Sequence, residues 1–140
     1  MKKVILVLCV IFACANTAIA QVTVSKSKLA GTKWQVSEVY ERHESAYYEF
    51  TNKAFIWHCN DGTTHSSPFY LSKTIPTRFD STKVGVSAKG CYIIKYNDKL
   101  DYFYCYAIMS FDKSSGEMTL KLMNKDVIGL SDTVTFILKK

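Results

Sequence analysis

Apolar and polar residues alternate along most of the chain, in short runs set apart by turn-forming residues. That is the spacing of strands with one face covered and the other wet. The alternation predicts strands over 32–41, 46–51, 54–59, 91–96, 100–111, 118–123 and 133–139. In the first, Trp34, Val36 and Tyr40 alternate with Gln35 and Ser37, and in the third Phe55, Trp57 and Cys59 share a face. The last sets Val134, Phe136 and Leu138 against Thr133, Thr135 and Ile137. Asn60-Asp61-Gly62 and Lys113-Ser114-Ser115-Gly116 read as turns, because Asn, Asp and Gly tolerate positive φ. Residues 63–89 are less regular: Phe69-Tyr70-Leu71 and 83–87 read as short strands, with a long polar loop around Pro76. No segment carries a helical stripe over three turns. The pattern is all-β, about eight strands joined mostly by short turns, as in a sandwich or a barrel.

One hairpin can be taken further. A turn over Asn97-Asp98-Lys99, centred on Asp98, sets Lys95 opposite Asp101 and Cys91 opposite Cys105. It also sets Tyr92 opposite Tyr104 and Ile94 opposite Tyr102, and a slip of one residue breaks the charge pair and the cysteine pair together. Cys91 and Cys105 are then expected as neighbours, bridged or as adjacent thiols, against the plainer reading of two small buried hydrophobes. This register gathers Tyr92, Tyr96, Tyr102, Tyr104 and Tyr106 on one face with Ile94 and Ile108. Such a face can stack on a ligand and offer hydroxyls, or simply form a stabilising ladder.

The start of the chain sets the compartment. Met1-Lys2-Lys3 precedes an apolar run over 4–13, and Ala18-Ile19-Ala20 stands before Gln21. Charge, apolar run and small-x-small site are the parts of a secretory signal, and the run is too short to span a bilayer. Residues 1–20 are therefore expected as a cleaved signal peptide and 21–140 as one domain, periplasmic or secreted. Ile11-Phe12-Ala13-Cys14 loosely matches a lipobox, which would tether the protein to the outer membrane through Cys14; Phe12 fits poorly, and the alanine site is the better match. Without Lys2 and Lys3, the 18 basic residues fall to 16 against 12 acidic ones. This excess is spread out, so no nucleic-acid surface is expected. Three cysteines remain, Cys59, Cys91 and Cys105, too few for a disulfide framework.

Catalytic chemistry is thin. His58, Cys59, Asp61 and His65 gather near one hairpin, but without a zinc-ligand spacing, and His58 and Cys59 point to opposite sides of a strand. Nothing frames a nucleophilic serine or cradles a phosphate, and Glu38, Glu41, Glu44 and Glu49 have no spacing that specifies a carboxylate pair. No enzyme, metal or cofactor is expected.

Leu29-Ala30-Gly31-Thr32-Lys33-Trp34-Gln35-Val36 resembles the Gly-x-Trp opening of lipocalin-like domains, in which the first-strand tryptophan closes one end of the barrel. Asp132-Thr133-Val134-Thr135-Phe136-Ile137-Leu138-Lys139-Lys140 is similar to the closing strand of small lipocalin-like proteins exported by gram-negative bacteria, and Phe111-Asp112-Lys113-Ser114-Ser115-Gly116-Glu117-Met118 fits the same setting. The chain lacks the Thr-Asp-Tyr type motif of true lipocalins and an arginine placed to cover Trp34. The resemblance implies a single antiparallel up-and-down barrel, which can hold one small ligand. The leading expectation is an exported monomeric barrel that binds a small apolar or amphipathic ligand without catalysis. Its lining candidates are Trp34, Tyr40, Trp57, Tyr92, Tyr102, Tyr104 and Tyr106. The rival is an envelope interaction module with a filled barrel, recognising a protein or glycan through the polar stretch 63–89.

Overall fold

The computed structural model describes residues 21–36, 45–124 and 133–139. Residues 1–20, with both expected processing sites, lie outside these, as does Tyr40. The elements are β1 (Val24–Ser25), α1 (Lys26–Leu29), β2 (Thr32–Val36), β3 (Ser45–Phe50), β4 (Ala54–Cys59), β5 (Thr64–Ser72), β6 (Lys89–Gly90), β7 (Tyr92–Asn97), β8 (Tyr102–Asp112), β9 (Glu117–Leu122) and β10 (Thr133–Leu138). Eight of the strands close an antiparallel barrel in the order β10-β2-β3-β4-β5-β7-β8-β9. Each strand lies beside its neighbour in the chain and β10 closes onto β2, so the expected up-and-down barrel is what forms. β1 and β6 pair separately and pin the N-terminal segment.

Between β5 and β6 the chain departs from the expected strand over 83–87. Ser81–Lys83 is a 3-10 turn instead. Asp80 Oδ1 accepts bonds from the Thr82 amide and hydroxyl, and such local side-chain bonding competes with a strand ladder. The strand begun at Phe69 is longer than its apolar residues suggest, running from Thr64 through Pro68 to Ser72.

The β7–β8 hairpin corrects the expected register. Asn97 Oδ1 accepts from the amides of Lys99 and Leu100, which widens the turn to residues 98–101, with Asp101 at a φ of 47°. Asn97 therefore pairs with Tyr102, Lys95 with Tyr104, Ile94 with Cys105 and Tyr92 with Ala107. The offset is odd, so β8 is turned over relative to β7. Tyr92, Ile94 and Tyr96 share a face with Phe103, Cys105 and Ala107, while Tyr102, Tyr104, Tyr106 and Ile108 share the other with Ile93 and Lys95. The single tyrosine face does not exist. Nor does the bridge: Cys59, Cys91 and Cys105 are all free thiols, and the Cys91 carbonyl receives the Ile108 amide.

The core explains which face is which. Trp34, Phe50, Phe55, Phe69, Leu71, Ile93, Ile108, Met118, Leu120 and Phe136 pack into one inner cluster with Val24 and Leu29 from the N-terminal segment. Leu29, fully buried, stoppers the end where β2 begins. There Trp34 Nε1 donates to Thr32 Oγ1 at 2.7 Å, and the Thr32 hydroxyl donates to the Leu29 carbonyl. A smaller cluster lies outside the wall, where Phe79 and Val84 cover Tyr70, Ile94 and Cys105.

Candidate functional site

The inner wall changes character along the barrel. Toward α1 it is aliphatic and aromatic, and closed. Toward the other end, where β4 meets β5 and β7 meets β8, the inward side chains include Tyr48, Trp57, Tyr102, Tyr104 and Tyr106. Strand parity puts them there: Trp57 follows Phe55 by two, and the three tyrosines precede Ile108 by steps of two. Tyr48 stacks on Trp57 with centroids 6.3 Å apart, Tyr104 on Tyr106 at 6.2 Å, and Tyr102 meets Tyr104 edge-on at 5.3 Å. Trp57, Tyr48, Tyr102 and Tyr106 are only half-buried although they face inward. Trp57 Nε1 is itself buried and has no hydrogen-bond partner among the described residues.

Lys95 stands among them. It is flanked in the ladder by Phe69 and Tyr104, and its Nζ lies 4.7 Å from the centre of the Phe55 ring and 5.3 Å from that of Tyr104. Burial lowers its pKa from the usual 10.5 to about 8. No carboxylate pairs with it among the described residues. Tyr106, two residues along β8 from Tyr104, is raised above the ordinary phenol range, first by burial and then by Tyr104 and Tyr48, so its hydroxyl stays a proton donor. A second lysine, Lys26, reaches in from α1 with its Nζ 4.6 Å above the Phe69 ring. It is 1% exposed, enclosed in the stopper.

Of the residues expected to line a ligand site, Trp57, Tyr102, Tyr104 and Tyr106 come together on this wall. Trp34 also faces inward but is sealed into the closed end. Tyr92 is outside, where its hydroxyl receives Gln21 Nε2, because the register turned β8 over and left β7 alone. Lys95 escaped the sequence reading, being assigned to a cross-strand charge pair with Asp101. The available signal was Asn97, whose side chain can cap two amides and so lengthen the turn.

The four residues of the β4–β5 hairpin part company. His58 points outward to Glu49 at 2.9 Å and under Tyr47, Cys59 is buried on the opposite side, Asp61 caps Thr63, and His65 sits beside Trp57. Among the described residues no three His, Cys, Asp or Glu gather as metal ligands do.

A concavity lies on the outer wall, a groove of about 740 Å³ between the segment 73–88 and the barrel. Phe79, Tyr96 and Phe103 wall it, with Arg78 and Asp101 at its edges. Phe79 stacks on Tyr96 at 4.9 Å. The polar stretch 63–89 is thus a strand followed by a strap packed on the barrel. No family model matches the chain, and neither does a curated protein or a solved structure.

Proposed function

We propose that the chain is an exported, lipocalin-like binding protein that takes one small apolar or amphipathic ligand into the aromatic end of its barrel, without catalysis or cofactor. The observation that carries this reading is the unlike state of the two ends. One is stoppered by Leu29 and Trp34; at the other, large aromatic side chains face inward yet stay half-buried. Side chains that only fill a core are fully covered and hydrogen-bonded. The unpartnered Trp57 Nε1 and the paired tyrosine rings are what a pocket offers: much apolar area with a few polar atoms. The signal-like residues 1–20 and the resemblance at 29–36 support export and a monomeric barrel in the envelope or outside.

The test is uptake of a neutral naphthylamine fluorophore by the mature chain. Blue-shifted emission that saturates at one site is expected, and Tyr106→Ala weakens it about tenfold, the worth of one aromatic contact. Absence of saturable uptake ends the reading.

A second reading is favoured by the outer groove, which presents Arg78 beside aromatic walls. In it the strap recognises an envelope protein or glycan. Arg78→Glu then abolishes capture of that partner and leaves fluorophore uptake unchanged.

A further inference from the structure

An ammonium inside a barrel has three protons to donate and loses several kcal/mol of hydration if nothing accepts them. The two rings near Lys95 return only about 1–2 kcal/mol each, so its half-buried ammonium keeps the capacity to donate to an acceptor. No described side chain supplies a carboxylate. The register explains why: Asp101, within reach had the turn been short, sits at the rim and accepts a bond from the Tyr96 hydroxyl. Lys95 thus stands on a wall that otherwise offers only aromatic faces and neutral donors, and its half-buried state distinguishes it from the enclosed Lys26. The groups placed against it come from three strands: Phe55 from β4, Phe69 from β5 and Tyr104 from β8, with Lys26 Nζ over the same Phe69 ring. None is acidic.

We infer that the barrel's ligand carries a single negative charge, a carboxylate or comparable oxyanion, held by Lys95 while its apolar body lies against Trp57 and the inner tyrosines. This rests on the barrel interior being the binding site. The singly charged class follows from one half-buried ammonium on this wall, Lys26 being shut off from the interior surface at 1% exposure. Trp57 Nε1 and the Tyr106 hydroxyl are donors that an anion accepts and a cation repels.

Matched probes separate charge from bulk: decanoate against decanol, and hydrocinnamate against hydrocinnamyl alcohol, titrated calorimetrically into the full mature chain at neutral pH. The acid of at least one pair is expected to bind about ten- to a hundredfold tighter than its alcohol, the worth of a hydrogen bond to a charged group. Lys95→Met brings the acid to the affinity of the alcohol and leaves the alcohol unchanged, while Lys26→Met keeps the preference. In the wild type the preference falls as the pH rises above about 8, a readout that needs no variant. Acid and alcohol binding equally overturns the inference and leaves the interior as the site, as does a preference that survives Lys95→Met. Failure of all four probes, with no fluorophore uptake, overturns both.

Discussion

At Thr32 one hydroxyl serves two neighbours, accepting from Trp34 Nε1 and donating to the Leu29 carbonyl. Thr32→Val keeps the shape and removes both bonds, leaving a buried indole N–H alone. The expected cost is about 1–3 kcal/mol in chemical unfolding. Gly90 is constrained differently: a Cβ there would lie 2.5 Å from the Ser72 carbonyl oxygen and 2.6 Å from its amide nitrogen. Gly90→Ala is expected to cost about 1–3 kcal/mol and to loosen the β1–β6 pair, seen as faster amide exchange in both. Lys95 adds a pH dependence whose sign is fixed. Unfolded, it holds its proton to about 10.5; folded, burial lets it go near 8. Between these values the unfolded chain binds more protons, so wild-type stability rises with pH relative to Lys95→Met. Tyr106 lowers the stability of both proteins above its ordinary 10.0, because its raised pKa leaves the unfolded chain the more ionised. Unfolding midpoints of wild type and variant that run parallel from neutral pH to 10 would contradict this. Thr32 and Trp34 stand together in the sequence, so their closed end was legible there. Lys95 was not, because its surroundings depend on the length of the turn, which the side-chain bonds of Asn97 at the strand's end decide.

Among the elements, β8 outruns its partner. Beyond the end of β9, Asn124 takes over as a strand would, accepting from the Cys105 amide and donating to the Phe103 carbonyl. Asn124→Ala is expected to cost about 1–2 kcal/mol and to speed exchange at Cys105 while the rest of β8 stays protected. The strap tests itself through a thiol. Cys105, buried under Phe79 and pushed up to about 12 by burial, resists alkylation in the native state, whereas half-buried Cys91 reacts. Phe79→Ala brings Cys105 into reach, and labelling of both at equal rates in the wild type would show the strap to be loosely seated. Strands were readable because period-two alternation is a local signal, and β4 falls where the pattern puts it. Turn 98–101 was not, since a three-residue and a four-residue loop leave the same apolar pattern on both sides and differ only in what Asn97 bonds. The strap was read as loop because Pro76 and its polar neighbours are loop-like. That it packs on Tyr70 and Ile94 is a long-range fact.

For the whole molecule, closure matters most. β10 seals β9 to β2 through eight ladder positions, so no barrel strand is left with a free edge in the described ladder. Removing residues 133–140 exposes two edges at once, and the expected result is a shift to aggregates in size-exclusion chromatography. The number and order of strands followed from local pattern and short connections. Which residues line the inner wall followed only when the register was fixed. The stopper formed by α1, Leu29 and Trp34 carries one more consequence. On the proposed reading, a barrel blocked at its base is a vessel and not a conduit: a guest would leave by the way it entered, and its residence time would be set at that doorway.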